Sequence, residues 1–261
     1  MPKLRQFTLA LSLLLATAPF VGLLVLSLGS GWGYPRLLPD ELTGAPWRDF
    51  FANRRGIIAA CGNTLLMSVC VSLPSTAIGF FVGRRLQASE SIWWRYAIYL
   101  PFVLSPMIVG VCLYDLAVQV RLVSTFVGVV FAQFLFALSF AVIFFSEVWS
   151  ERFDRMQQLV ATLGGGPWRQ FRDGVLPQTW GLFVVCILQT ALYSWLDYGL
   201  VSVLGGGNVP SLTLQLFAYI REASINQAAQ SALILLAPAL AAIAIAALLL
   251  PRNSMAEEEK R

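Results

Sequence analysis

Long apolar stretches alternate along this chain with short polar segments. Each stretch is about 20 residues long, enough for a helix to cross the hydrocarbon core of a bilayer. We predict spans over about residues 7–28, 57–82, 96–118, 125–149, 178–204 and 228–250. The predicted fold is therefore an all-α integral membrane protein with about six transmembrane helices. No internal duplication is visible, so residues 1–261 are interpreted as one transmembrane domain.

The first apolar stretch has two interpretations. Lys3 and Arg5 precede it, and Ala16-Thr17-Ala18 is similar to the cleavage site of a signal peptide. The apolar residues continue beyond that point, however, and Pro19 would directly follow the cut. At about 22 residues the stretch is long enough to span a bilayer. We favour an uncleaved first helix.

The longest polar break in the second half of the chain covers residues 150–177. Apolar residues at helical spacing, ending at Leu163, predict a short helix in its first part. Gly164 and the two glycines after it should end that helix, because glycine takes left-handed backbone angles at little cost. Pro167 suits the first turn of a second helix, which Leu176–Pro177 should close. The pattern predicts a helix–elbow–helix loop.

This loop resembles the cytoplasmic coupling signature of the permease subunits of binding-protein-dependent ABC importers. That signature is Glu-Ala-Ala, three residues, Gly, nine residues and Ile-x-Leu-Pro, and Gly164 and Leu176–Pro177 match it at that spacing. Gln158-Leu159-Val160 stands in place of Glu-Ala-Ala, and Gly174 in place of Ile. The alternative is an ordinary amphipathic loop at the membrane interface.

The resemblance implies a type I importer fold in a bacterial inner membrane. It implies three kinds of protein partner: ABC ATPase subunits, a second permease chain (alike or different) and an extracytoplasmic solute-binding protein. The order of elements from Asp197 through the glycines at 205–207 is most similar to that of permeases for ferric iron, thiamine and polyamines. The residues expected to couple this chain to the ATPase are Gln158, Leu159, Val160, Gly164, Pro167, Leu176 and Pro177.

Composition excludes several other classes of protein. The chain is 57% hydrophobic and 12% charged, against about 25% charged residues in soluble domains. It has no His, and Lys3 and Lys260 are its only lysines, so it offers no His-based catalytic site and no phosphate-binding loop. The four cysteines lie in apolar runs without metal-ligand spacing, and we interpret them as buried hydrophobes. We expect no catalytic residue, metal or cofactor, and a net charge of +4 does not favour nucleic acid.

Charge predicts the orientation of the spans. With six spans and the N-terminus inside, the inner segments hold 12 of the 18 Lys and Arg residues and the outer segments hold 6. Cytoplasmic segments carry an excess of basic residues. Both termini and the loop at 150–177 are therefore predicted to be cytoplasmic.

A few acidic residues lie within the predicted spans, where a charge is costly and usually faces the protein interior or a water-filled path. Asp197 and Tyr198 belong to a segment that resembles the family's acid–aromatic–glycine pattern, and Asp115 lies late in the third span. These three residues are candidates for the translocation path. The alternative is a hydrogen bond that packs two helices together.

Three functions remain open at this point. The first is a permease subunit whose ATP hydrolysis takes place in a separate partner. The second is a six-helix membrane channel or structural subunit without an ABC ATPase, which explains the hydrophobicity but not the loop. The third, a free-standing membrane enzyme, lacks the necessary catalytic motifs.

Overall fold

The computed structural model describes residues 2–30, 41–52, 54–87, 92–149 and 158–249, and it is helical in most of them. A two-residue antiparallel pair, β1 (Gly29–Ser30) with β2 (Glu41–Leu42), is the only sheet in these ranges. The helices are α1 Pro2–Leu28, α2 Ala45–Ala52, α3 Arg54–Gln87, α4 Ile92–Val103, α5 Pro106–Gln119, α6 Phe126–Val148, α7 158–162 (the described part), α8 Pro167–Arg169, α9 Leu176–Leu196, α10 Gly199–Leu204, α11 Leu212–Arg221 and α12 Ile225–Leu249.

The helices have the length and composition of membrane spans. In the described part of the chain, four are long and apolar enough to cross a bilayer, and the bent pair α4–α5 could supply a fifth. A shorter apolar helix covers Thr17–Leu28. An all-α, multi-pass membrane protein is therefore confirmed as the class of fold, whereas six spans stay a prediction. The four long helices are Gly56–Gln87, Phe126–Val148, Gln170–Leu196 and Ile225–Ala242.

The third predicted span, 96–118, falls on two helices joined by a sharp bend rather than on one straight helix. Helices α4 and α5 meet at an angle of 105°. Ser105, between them, has an extended backbone with ψ of 135°, because the Pro106 ring disfavours helical angles in the residue before it. Pro101, by contrast, lies inside α4 without ending it.

The helix that falls on the fifth predicted span, 178–204, differs from it at both ends. Leu176–Pro177 does not close the preceding helix, since α8 continues through a wider π-helical turn, Gln170–Val175, into α9. Pro177 lies in the first turn of α9, where proline is tolerated. At the other end the helix stops at Leu196, because Asp197 turns extended with ψ of 123°.

Contacts divide the chain into two compact units. The first comprises residues 1–62 and 210–237, and the second comprises residues 63–209 and 238–261. The second unit has an aromatic core around Phe80, whose ring centroid lies 4.8 Å from that of Phe183 and 5.2 Å from that of Phe145. Such pairs add to the stability that their buried area provides.

Two glycines let α3 approach α6 closely within the second unit. A Cβ atom built on Gly79 would lie 2.5 Å from the Cβ of Ala141. One built on Gly83 would lie 2.9 Å from the carbonyl oxygen of Val142 and 3.0 Å from the Cβ of Phe145. This pair of small residues, one turn apart, therefore acts as a helix-packing surface.

We expect Gly83→Leu to destabilise the second unit by about 3 kcal/mol, since its side chain would have to push α3 away from the backbone of α6. Thermal unfolding of the purified chain in detergent measures the effect. Gly181→Leu in α9 is the matched control, because a Cβ there meets no atom within 4 Å. Equal unfolding temperatures for the two variants would contradict the close approach.

The cysteines differ from the expectation that all four are buried. Cys186 is buried in the core of the second unit, and Cys61 is half-buried. Cys70 and Cys112 are exposed, on helical surfaces that a lipid can cover. None of the four forms a disulfide.

Candidate functional site

The predicted elbow is present at Gly164. Its backbone is left-handed, with φ of +80°, and its N–H donates to the carbonyl oxygen of Ala161 at 3.0 Å. The N–H of Gly165 donates to the carbonyl oxygen of Val160, also at 3.0 Å. These bonds satisfy the last carbonyls of α7, as at a glycine-terminated helix end.

Two of the three consecutive glycines are required by the local backbone, each for a different reason. Gly164 supplies the positive φ, in open space. Gly165 supplies room, since a Cβ there would lie 2.7 Å from the carbonyl oxygen of Val160. Gly166 meets neither constraint, but its carbonyl accepts the N–H of Gln170 and so begins the next helix.

Around the elbow, apolar side chains point away from the protein. Leu163 is 80% exposed and Trp168 is 70% exposed, at positions flanking the glycines. Of the other predicted coupling residues, Gln158 and Leu159 are exposed and Val160 is half-buried. Pro167 opens α8, but its side chain, like residues 150–157, lies outside the described part. The elbow is thus an apolar tip that is exposed in the described part of the chain.

The far side of the loop is fixed to the core of the second unit. Val175 is buried in the cluster around Phe80, and the ring centroid of Phe171 lies 5.9 Å from that of Phe80. Gly174, which replaces the signature's Ile, is also buried. Leu176 is half-buried and Pro177 is exposed. The loop therefore combines an exposed tip with an anchored base.

A second polar site surrounds Asp197, which is only 8% exposed. Its Oδ2 accepts a hydrogen bond from Nε2 of Gln133 at 3.0 Å and one from the N–H of Val201 at 3.3 Å. Its Oδ1 accepts from the N–H of Leu200 at 3.4 Å. Gln133 in turn accepts from the hydroxyl of Ser194 at 2.7 Å. Asp197 therefore caps α10 and ties it to α6 and α9.

The three predicted path residues do not lie together. Asp197 and Tyr198 line one open cavity of about 570 Å³ in the second unit, whereas Asp115 does not. Asp115 lies on an exposed face of α5 and accepts a hydrogen bond from Gln119 at 3.1 Å. Asp115 is not among the residues that line this cavity, and its role in a translocation path stays a prediction. The lining residues are Ser105, Pro106, Met107, Gln189, Leu192, Tyr193, Leu196, Asp197, Tyr198 and Gly199.

The cavity is formed where two helical segments break. The α4–α5 bend contributes Ser105 and Pro106, and the break between α9 and α10 contributes Asp197 and Tyr198. Backbone at such breaks is free to line a polar cavity within a membrane protein. Tyr193, which was not among the predicted path residues, also lines this cavity, and its hydroxyl is buried without a hydrogen-bond partner among the described residues.

No group of three or more potential metal ligands occurs among the residues that the structure describes. Comparison of the chain with family models and with curated proteins found no match. Function has to be inferred from the geometry of these residues.

Proposed function

We propose that this chain is the membrane-spanning permease subunit of an ATP-driven ABC importer. The elbow at Gly164 carries the proposal, because its left-handed backbone lies at the one glycine that the importer signature requires. It would pair with a second permease chain and dock on two ATPase subunits. A solute-binding protein would deliver solute on the other side of a bacterial inner membrane.

The exposed tip supports a protein partner. Leu163 and Trp168 are the large apolar side chains beside the elbow, and both face away from the chain. A tryptophan with neighbouring aliphatic groups is typical of the buried centre of an interface. In the proposed complex, the tip fills a groove of the ATPase.

The anchored base supports a mechanical role for the loop. Helix α8, the π-helical turn and α9 follow one another without a break, so a displacement of the tip acts directly on α9. Phe171 and Val175 join the same segment to the core of the second unit. When ATP binding closes the ATPase dimer, this connection would move the spans and alternate the access of the solute path.

Charge supports the orientation that this mechanism needs. The excess of Lys and Arg in alternate segments favours cytoplasmic termini and a cytoplasmic loop at 150–177, on the side where ATP is available. If α1 and the bent pair α4–α5 each cross the membrane, they add two spans to the four long helices and give the six that this arrangement needs. Within it, the cavity beside Asp197 would belong to the solute path or its outer gate.

We expect the purified chain to hydrolyse no ATP by itself and to co-purify with an ATPase from its native membrane. Its sequence has no phosphate-binding loop, because neither of its two lysines follows a glycine-rich turn. Phosphate release in liposomes, with and without the co-eluting ATPase, measures both expectations. Appreciable hydrolysis by the chain alone, or solute flux that needs no ATP, would refute the proposal and favour a channel.

A further inference from the structure

A second, polar cavity lies within the first unit. It has a volume of about 370 Å³ and is lined by the strand β1, by α2 and by the beginning of α12. Its polar side chains come from all three elements. The lining residues are Gly29, Ser30, Pro46, Asp49, Phe50, Ala223, Ser224, Ile225, Asn226, Gln227 and Gln230.

Two amide side chains of the cavity donate hydrogen bonds to the backbone near the end of α1. Asn226 donates from Nδ2 to the carbonyl oxygens of Leu26, at 3.2 Å, and Gly29. Gln230 donates from Nε2 to the carbonyl oxygen of Ser27 at 3.2 Å. These bonds orient both amides with their nitrogen atoms toward the end of α1.

The polar atoms of the cavity that these bonds leave unused are mainly hydrogen-bond acceptors. Gln230 is fully buried (0% exposed), yet its Oε1 has no hydrogen-bond partner among the residues that the structure describes. Asp49 adds a carboxylate that forms no ion pair with a described residue, and none of the described lining residues is Lys or Arg. A buried acceptor without a partner costs free energy that a ligand's donor can recover.

We propose that this cavity binds a small organic cation that carries N–H donors, of the ammonium class. The carboxylate of Asp49 supplies the charge, and the amide oxygens of Asn226 and Gln230 accept the N–H groups. An anion would meet carboxylate and carbonyl oxygens without a cationic side chain. A single desolvated metal ion would leave most of the 370 Å³ unfilled.

The site is independent of the coupling loop. All its lining residues belong to the first unit, whereas the elbow belongs to the second. Only the further step, that the bound cation is also the transported solute, rests on the proposed importer function. Binding to the purified full chain can therefore succeed even where ATP-driven uptake fails, and the reverse also holds.

Four probes of similar size test the chemistry on the full-length chain in detergent. We expect calorimetry to detect binding of 2-aminoethanol, which is cationic with N–H donors, and none of ethane-1,2-diol or glycolate. Tetramethylammonium, which has the charge without N–H donors, should bind about fivefold more weakly or not at all. Equal affinity for glycolate, or full competition by sodium ions at the probe's concentration, would overturn the assignment.

Charge variants test the location. Asp49→Asn should weaken 2-aminoethanol about fivefold, a modest loss because the carboxylate is exposed to solvent. Gln227→Glu places a new carboxylate of the same shape on the cavity wall and should tighten binding by a similar factor. Glu41→Gln is the matched control, since Glu41 is exposed in the same unit but does not line the cavity. Unchanged affinity in both Asp49→Asn and Gln227→Glu would place any binding elsewhere and refute the site.

Discussion

Solute uptake driven by ATP should fall about tenfold or more in a Gly164→Val variant, while its abundance in the membrane stays normal. Gly164 has φ of +80°, where a β-branched residue costs well over 1 kcal/mol. A Cβ at this position meets no atom within 4 Å, so the cost lies in the backbone alone. The elbow would relax to another backbone angle and withdraw Leu163 and Trp168 from the ATPase. Each 1.4 kcal/mol lost in this contact weakens the binding of the two subunits about tenfold.

The neighbouring Gly166 gives the matched control. It lies two residues away in the same exposed elbow, and a Cβ there also meets nothing within 4 Å, but its φ is not positive. Gly166→Val should therefore retain most of the uptake. Gln158→Glu, which restores the signature's acid on an exposed position, should also be tolerated. Normal uptake by Gly164→Val at normal abundance would mean that the elbow does not couple the two subunits.

A large loss of stability is also expected from Asp197→Ala. The substitution leaves Nε2 of Gln133 and the N–H groups of Leu200 and Val201 without this acceptor in a buried site. Unpaired buried donors cost about 1–3 kcal/mol each, and partial rearrangement should leave a net loss of about 3 kcal/mol. Thermal unfolding in detergent measures the loss, and Asp197→Asn, which keeps one carbonyl acceptor, should lose less.

Asp115→Ala is the control that distinguishes the loss of the hydrogen bonds around Asp197 from the loss of a negative charge. Asp115 is exposed and accepts one side-chain hydrogen bond, from Gln119 in its own helix. We expect its loss to change the free energy of unfolding by less than about 0.5 kcal/mol. If Asp115→Ala destabilised the chain as much as Asp197→Ala, the hydrogen bonds around Asp197 would not be what stabilises it.

The long helices followed from hydrophobicity alone. The predicted span 125–149 differs by one residue at each end from α6, Phe126–Val148, because Thr125 caps its start through the N–H of Gly128. The elbow could also be predicted, since three glycines after an apolar stripe leave the chain few other conformations.

The helix breaks were harder to predict, because an average over hydrophobic residues does not register a single backbone turn. The stretch 178–204 stays apolar beyond Leu196, yet Asp197 ends the helix by bonding the first N–H groups of α10. The hydrogen-bond partners of Asp197 and Asp115 could not be predicted from the sequence either. Both are single acids in apolar surroundings, and only the folded chain separates a buried cap from an exposed side chain.

The side-chain amide hydrogen bonds within the first unit join residues that are far apart in the sequence, and this affects how the chain can fold during its synthesis. Asn226 follows Leu26 by 200 residues, and Gln230 follows Ser27 by 203. A ribosome adding about 5–20 residues per second needs about 10–40 s to make that interval. Throughout that time the newly inserted first helix lacks these partners, whereas residues 63–209 of the second unit are complete before Asn226 is made. The first unit thus begins to leave the ribosome first, but it cannot form these hydrogen bonds until almost the whole chain has been made.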